Sequence, residues 1–104
     1  MIFRSRGTNR NGGSFTLFEI QSVWNKAQII GTLDPNVWRK DKCGALIKRT
    51  DHGNVNSTFG WEIDHERPVS MGGGDELSNL QPLQWENNRH KSDVYPNWTC
   101  KIRA

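Results

Sequence analysis

The stretch from Gly60 to Asp93, GWEIDHERPVSMGGGDELSNLQPLQWENNRHKSD, decides the fold that we predict. Residues 59–64 alternate between apolar and polar side chains, which is typical of a half-buried strand. A loop with three consecutive glycines follows, and a short apolar run then covers residues 80–84. Residues 85–92 favour a short helix, which Pro96 prevents from continuing far. The stretch therefore predicts strand, long loop, strand and helix in that order.

Three polar points in this stretch could form a site. Asp64 and His65 end the first strand, Asn79 opens the second, and Asn88 lies on the predicted helix. Carboxylate and amide oxygens, as in Asp64 and Asn88, suit Mg²⁺ or Mn²⁺. His65 is a base that can be neutral at about pH 7, and Asn79 can bind loop backbone through its amide. Each residue taken alone could equally be a solvated or turn-forming side chain.

Taken together, the order and spacing of these residues resemble the HNH endonuclease motif. The Asp64-His65 pair is followed by Pro68 and the glycines at 72–74, Asn79 precedes an apolar strand, and Asn88 precedes a basic run. The resemblance implies an α+β fold. A ββα-metal (HNH) finger of about residues 59–93 would have N-terminal helices packed against it.

The resemblance also implies a metal-dependent endonuclease that hydrolyses DNA phosphodiester bonds, by nicking or by double-strand cleavage. His65 would be the general base, and Asn79 would hold the loop. Asp64 and Asn88 would bind one divalent ion, Mg²⁺ in the first place, with Mn²⁺ or another divalent ion as the alternative. Basic side chains near the site would contact the DNA backbone, although each could instead be a solvated charge. These residues are Arg67, Arg89, His90 and Lys91.

One feature departs from the family pattern. Many HNH proteins carry two Cys pairs that hold a structural zinc, whereas this chain has only Cys43 and Cys100. Gln84-Trp85 stands where the second pair would lie. We therefore expect no structural zinc, and we expect aromatic packing by Trp61 and Trp85 in its place.

Composition sets the wider limits. A chain of 104 residues is long enough for one domain, and its 14 Lys and Arg against 11 Asp and Glu give a formal charge of +3. This mildly basic balance agrees with a polyanion partner but does not require one. Residues 1–13, with three arginines, predict a flexible basic arm that is either a solvated terminus or a phosphate-contacting tail. Residues 14–104 would form the single nuclease domain.

Two cysteines permit one disulfide, but we expect reduced thiols and a reducing compartment. The sequence shows neither an apolar leader nor a span that could cross a bilayer. We accordingly expect a cytoplasmic protein, of bacterial or phage origin by analogy with the family, that does not bind membranes.

The remaining elements follow from local signals. Thr16 and Glu19 match a capping box, and apolar residues recur at helical period, which predicts a helix over Thr16–Ile30. Asp34-Pro35 predicts the start of a second short helix that runs to about Lys42. Residues 45–49 predict a short strand.

Two other functions stay open at this point. The chain could be a catalytically weak nucleic-acid-binding module. It could also be a nuclease toxin domain that an immunity partner neutralises. Within the leading interpretation, a second protein could also supply sequence specificity.

Overall fold

The computed structural model, which describes residues 4–104, contains two α-helices and two antiparallel sheets. The α+β class predicted from the sequence is thus confirmed. Strands β1 to β3 form one sheet in that order, and β4 pairs with β5 in the other. The helices are α1 (Leu17–Trp24) and α2 (Trp85–Lys91), and the strands are β1 (Gln28–Ile29), β2 (Trp38–Lys40), β3 (Leu46–Lys48), β4 (Trp61–His65) and β5 (Leu80–Gln84).

The β4–β5 hairpin and α2 follow the predicted order. Trp61 lies opposite Gln84 and His65 opposite Leu80, so the two strands pair along their whole length. Helix α2 begins directly after β5, because the side-chain oxygen of Gln84 accepts the backbone N–H groups of Glu86 and Asn87 at 2.8 and 3.1 Å. The hairpin and the helix are therefore joined without a flexible linker.

The core lies between α1, β3 and the hairpin. The rings of Trp24 and Trp61 pack at a centroid distance of 5.4 Å, and both side chains are fully buried. Large aromatic surfaces compensate for the small number of aliphatic residues. Neither helix of the described chain is long and apolar enough to cross a lipid bilayer. The buried cluster consists of Phe15, Ile20, Val23, Trp24, Ala27, Ile47, Trp61, Ile63 and Leu80.

The first helix is shorter than the sequence predicted. Its capping box forms, with Glu19 and Thr16 exchanging side-chain to backbone hydrogen bonds at 2.9 and 3.1 Å. The helix ends at Trp24, however, because the guanidinium of Arg39 donates to the carbonyl oxygens of Asn25 and Ala27 at 3.1 and 3.3 Å. The extension to Ile30 was wrong, since residues 28–29 pair with β2 instead.

The second predicted helix, from Asp34 to about Lys42, was also wrong. Only one turn forms, in which the carbonyl oxygen of Asp34 accepts the N–H groups of Val37 and Trp38 at 3.0 and 2.9 Å. Residues 38–40 are strand β2, because they pair with β1 on one side and β3 on the other. The strand predicted at residues 45–49 is confirmed as β3.

The cysteines are joined in a disulfide, which corrects the expectation of reduced thiols. Cys43 and Cys100 are 57 residues apart in sequence, and their Cα atoms are 5.8 Å apart. The pairing depends on the C-terminal tail folding back onto α2. There Asn87 accepts the backbone N–H groups of Lys101 and Ile102 at 2.8 and 2.7 Å. Composition alone could not reveal this contact.

A buried carboxylate holds the junction between β5 and α2. Asp41 accepts the backbone N–H groups of Cys43, Ala45 and Gln84 at 2.9, 2.8 and 2.9 Å, and the side-chain amide of Asn87 at 3.0 Å. These four donors come from the turn after β2, the end of β5 and the first half of α2. Asp41 therefore ties three separate segments together.

The aromatic packing expected in place of a zinc site forms only in part. Trp61 lies in the core as described, and the indole N–H of Trp85 donates to the carbonyl oxygen of Ser57 at 2.9 Å. The residues that fix the start of α2 are polar, namely Asp41 and Asn87, with the Cys43–Cys100 disulfide beside them.

We predict that Asp41→Ala lowers the free energy of unfolding by at least about 3 kcal/mol, because it leaves four donors without their acceptor at roughly 1–3 kcal/mol for each group that stays buried. Urea denaturation measures the loss. Glu76→Ala is the matched control, since Glu76 is an exposed acid, and it should change stability by less than about 0.5 kcal/mol. A loss below about 1 kcal/mol for Asp41→Ala would contradict this account of the junction.

Candidate functional site

Three of the predicted site residues line one small cavity. Asp64 and His65 reach it from the end of β4, and Asn88 reaches it from the middle of α2. The cavity has a volume of about 30 Å³. Arg4 and Arg6 of the N-terminal arm lie in its wall. The hairpin and the helix thus bring together residues that are 24 positions apart in sequence (64 and 88).

Asp64 is a buried carboxylate with two partners. Its side chain accepts a hydrogen bond from Gln81 at 2.9 Å, and the ammonium group of Lys91 lies 3.2 Å from one carboxylate oxygen. Burial raises the pKa of Asp64 above its ordinary value, while the Gln81 hydrogen bond and the Lys91 charge lower it in part. Burial therefore makes the ionised form of Asp64 less favourable, and the ammonium group of Lys91 is the counter-charge that offsets part of this cost.

The structure places Lys91 differently from the sequence expectation of a DNA contact. Its side chain has no exposed surface, and besides Asp64 it donates to the backbone carbonyl oxygen of His65 at 3.1 Å. An ammonium group buried in this way has no face to offer to a phosphate at the surface. Its position fits a role inside the site, as the partner of Asp64.

Glu62 determines how the amide of Asn88 is oriented. The amide nitrogen of Asn88 donates to Glu62 at 2.9 Å, and Arg89 lies 3.4 Å from the other Glu62 oxygen. The nitrogen is thus fixed on Glu62. The amide oxygen of Asn88 accepts no hydrogen bond from residues 4–104. Sequence reasoning did not select Glu62. A signal was present, since strand alternation puts Glu62 on the same side as Asp64.

His65 is held between a carboxylate and an aromatic ring. Its Nε2 lies 2.7 Å from Asp75, and its ring is 6.1 Å from that of Phe15. Asp75 also accepts the backbone N–H of Arg10, at 3.0 and 3.2 Å from its two oxygens. Sequence reasoning missed Asp75, because nothing in the glycine-rich loop indicates which residue of it faces His65.

Asn79 makes the loop-holding contacts predicted for it, and it lies outside the lining of the cavity. Its amide oxygen accepts the N–H of Arg67 at 2.9 Å, and its amide nitrogen donates to the carbonyl oxygens of Arg67 and Gly74 at 3.1 and 2.9 Å. Gly73 is required at the same place, since a Cβ there would lie 1.8 Å from the Arg67 carbonyl oxygen. The two ends of the loop are thus clamped together.

The other basic residues predicted to contact DNA remain at the surface. Arg67 is exposed and donates to the carbonyl oxygen of Met71 at 2.8 Å. The side chain of Arg89 is 43% exposed and lies over the ring of Trp85 at 5.5 Å. His90 is exposed, with its Nε2 3.1 Å from the hydroxyl of Thr99. All three could reach a ligand without a change of fold.

The predicted basic arm, as far as the structure describes it, lies against this site. Arg4 and Arg6 line the cavity, and Gly7 packs over Glu62, where an added Cβ would be 3.5 Å from the Cβ of Glu62. Arg10 binds Asp75 through its backbone. The arm thus contributes positive charge beside Asp64 and a hydrogen bond to the partner of His65.

Two side chains at the cavity carry oxygens of the kind that bind hard divalent ions. Within residues 4–104 no group of three or more His, Cys, Asp or Glu is arranged to hold a metal. The carboxylate of Asp64 and the amide oxygen of Asn88 are nevertheless two hard donors at one cavity. Mg²⁺ commonly takes one or two protein carboxylates and completes its shell with water and phosphate oxygens.

Comparison with known proteins identifies no relative of this chain. No protein-family model matches the sequence, and no curated protein or solved structure is significantly similar to it. Functional inference therefore depends on the site residues themselves.

We predict that Lys91→Met lowers the free energy of unfolding by about 3 kcal/mol, because it leaves the buried Asp64 carboxylate without a counter-charge. The double variant Asp64→Asn/Lys91→Met should recover more than half of this loss, since no unpaired charge remains. Chemical denaturation at neutral pH measures both. Lys42→Met is the matched control, because Lys42 is exposed and its ion pair with Glu66 is long, at 3.9 Å.

The same variant has a predicted pH dependence. Burial already raises the pKa of Asp64 in the folded state, and removal of the ammonium group raises it further. As the pH falls, the Asp64 carboxyl group therefore takes up a proton in the folded variant at a higher pH than in the unfolded chain. This difference in proton uptake favours folding. The deficit relative to the wild type should shrink as the pH falls. A deficit that stays constant down to the ordinary pKa range of a carboxyl group would contradict this explanation.

Proposed function

We propose that this chain is a metal-dependent DNA endonuclease of the HNH type, in which β4, β5 and α2 form a ββα-metal unit. The observation that carries the proposal is the convergence of Asp64, His65 and Asn88 on one cavity. A base beside two hard oxygen donors is the combination that hydrolysis of a phosphodiester needs. The Asp75 contact of His65 and the Glu62 contact of Asn88 add support, since both fix functional side chains in place.

In the proposed reaction, His65 takes a proton from a water molecule, and the resulting hydroxide attacks the scissile phosphorus. The bond from phosphorus to the 3′ oxygen breaks, and the leaving oxygen takes a proton from solvent water, which leaves a 5′-phosphate and a 3′-hydroxyl. Asp64 and Asn88 would hold a divalent ion, Mg²⁺ or Mn²⁺, that supplies positive charge next to the phosphate and the leaving oxygen. A positioned acid–base group such as His65 typically contributes ~10²–10⁴-fold in rate.

DNA would approach the face that carries the cavity. Arg4 and Arg6 flank the cavity, and Arg67 and Arg89 are exposed residues next in sequence to its lining residues Pro68 and Asn88. His90 is exposed as well, at a separate depression that it shares with Arg89. Cations in such positions contact phosphates without reading sequence. Lys91 has a different role in this proposal, because it balances the charge of Asp64.

Plasmid nicking tests the proposal. The wild-type protein should relax supercoiled plasmid with Mg²⁺ or Mn²⁺ and should not do so in EDTA. His65→Ala should lower the rate at least about 10²-fold, since it removes the base. His52→Ala is the matched control: it removes a histidine that contacts Trp61 and lies outside the cavity, and it should cleave at close to the wild-type rate.

Two results would count against the proposal, the first against nuclease activity and the second against this site. Tight DNA binding without cleavage under any divalent ion would favour the nucleic-acid-binding module. Equal cleavage by His65→Ala and wild type would show that this site is not responsible. Circular dichroism of each variant separates loss of the site from loss of the fold.

A further inference from the structure

The two ring nitrogens of His65 have different surroundings. Nε2 faces the carboxylate of Asp75 at 2.7 Å, and the side chain is only 2% exposed. Nδ1 makes no hydrogen bond with residues 4–104. The side chain of His65 is also part of the cavity lining. His65 therefore has one nitrogen bound to a carboxylate and the other without a hydrogen bond to residues 4–104, at the edge of the cavity.

The position of Asp75 is fixed from several directions. The backbone N–H of Arg10 donates to both of its oxygens, at 3.0 and 3.2 Å. The preceding residue, Gly74, is bound through its carbonyl oxygen by the amide of Asn79 at 2.9 Å. The contact with His65 is thus built by the loop and the arm together, and it does not depend on a freely rotating surface side chain.

We propose that Asp75 is a positioning residue for His65: its carboxylate accepts a hydrogen bond from Nε2–H and so holds the imidazole with the Nδ1 lone pair facing the cavity. A hydrogen bond at one ring nitrogen determines which nitrogen carries the proton. During the reaction Nδ1 takes the proton from water, and both ring nitrogens are then protonated. Asp75 stays ionised and stabilises the resulting imidazolium. The claim that Asp75 assists the reaction rests on the proposed nuclease function. The claim that Asp75 sets the tautomer of His65 is independent of it.

Asn79 and the N-terminal arm both help to position Asp75. Asn79 does not line the cavity, yet its hold on Gly74 places Asp75 opposite His65. Arg10 approaches Asp75 from the arm, whose arginines 4 and 6 line the same cavity. The glycine-rich loop is therefore a support for the base, and Gly73 allows it to fold closely on the backbone of Arg67.

The tautomer can be measured without any nuclease activity. Long-range ¹H–¹⁵N spectra of histidine-labelled protein, recorded at increasing pH until the His65 signals stop changing, report which nitrogen carries the proton. The variants His52→Gln and His90→Gln assign the three histidines. Wild-type His65 should be protonated at Nε2, and Asp75→Ala should move it toward a mixture of tautomers. Glu76→Ala, which removes the neighbouring exposed acid, should leave the spectrum unchanged.

Single-turnover cleavage of a duplex oligonucleotide tests the consequence. Asp75→Ala should lower the cleavage rate roughly 10–100-fold, the loss that follows when a metal-bound histidine loses the carboxylate bonded to its other nitrogen, with DNA affinity unchanged. Added formate should restore part of the rate, because it returns a carboxylate to the vacated space, which a merely misfolded variant would not allow. Glu76→Ala should cleave at the wild-type rate, with or without formate.

The outcomes separate the two proposals. A wild-type His65 protonated at Nδ1, or a tautomer that does not respond to Asp75→Ala, would overturn the assignment of Asp75. An altered tautomer with an unchanged cleavage rate would overturn its positioning role. If the wild type does not cleave DNA at all, the nuclease proposal fails, and the spectra still decide whether Asp75 sets the tautomer.

Discussion

The placement of Asn88 beside Asp64 depends on the buried carboxylate of Asp41. Asp41 binds the end of β5 through the backbone N–H of Gln84 and binds α2 through the amide of Asn87, the residue next to Asn88. A helix of seven residues has little stability of its own. Its position therefore comes from these contacts, from the Gln84 cap and from the tail that the Cys43–Cys100 disulfide holds against it.

Next to this junction, the three predicted site residues that line the cavity each have a hydrogen-bonded or ionic partner. Lys91 balances Asp64, Glu62 orients Asn88, and Asp75 holds His65. Buried polar groups of this kind are tolerated only when each has its partner. The partners come from β4, from the glycine-rich loop and from α2, so the hairpin, the loop and the helix must all be in place before the cavity has its present chemistry.

Sequence reasoning predicted the elements better than the partners. The strand, loop, strand and helix order and the Thr16–Glu19 capping box rest on local signals, and the structure has them. The second helix failed because pairing with two neighbouring strands outweighed the Asp34-Pro35 signal. Contacts such as Asp75 with His65, Asp41 with Asn87 and Cys43 with Cys100 join residues that only the tertiary fold brings together. Glu62 could have been found, since alternation along β4 already placed it beside Asp64.

A crystal structure with Mn²⁺ and an uncleaved DNA duplex would test the central claim most directly. The claim is that Asp64 and Asn88 share one ion at the phosphate while His65 faces the attacking water. It predicts one carboxylate oxygen of Asp64 and the amide oxygen of Asn88 both at roughly 2.0–2.6 Å from the same ion. An ion bound elsewhere, or Asp64 still paired only with Lys91 while Asn88 makes no contact with the ion, would contradict the account.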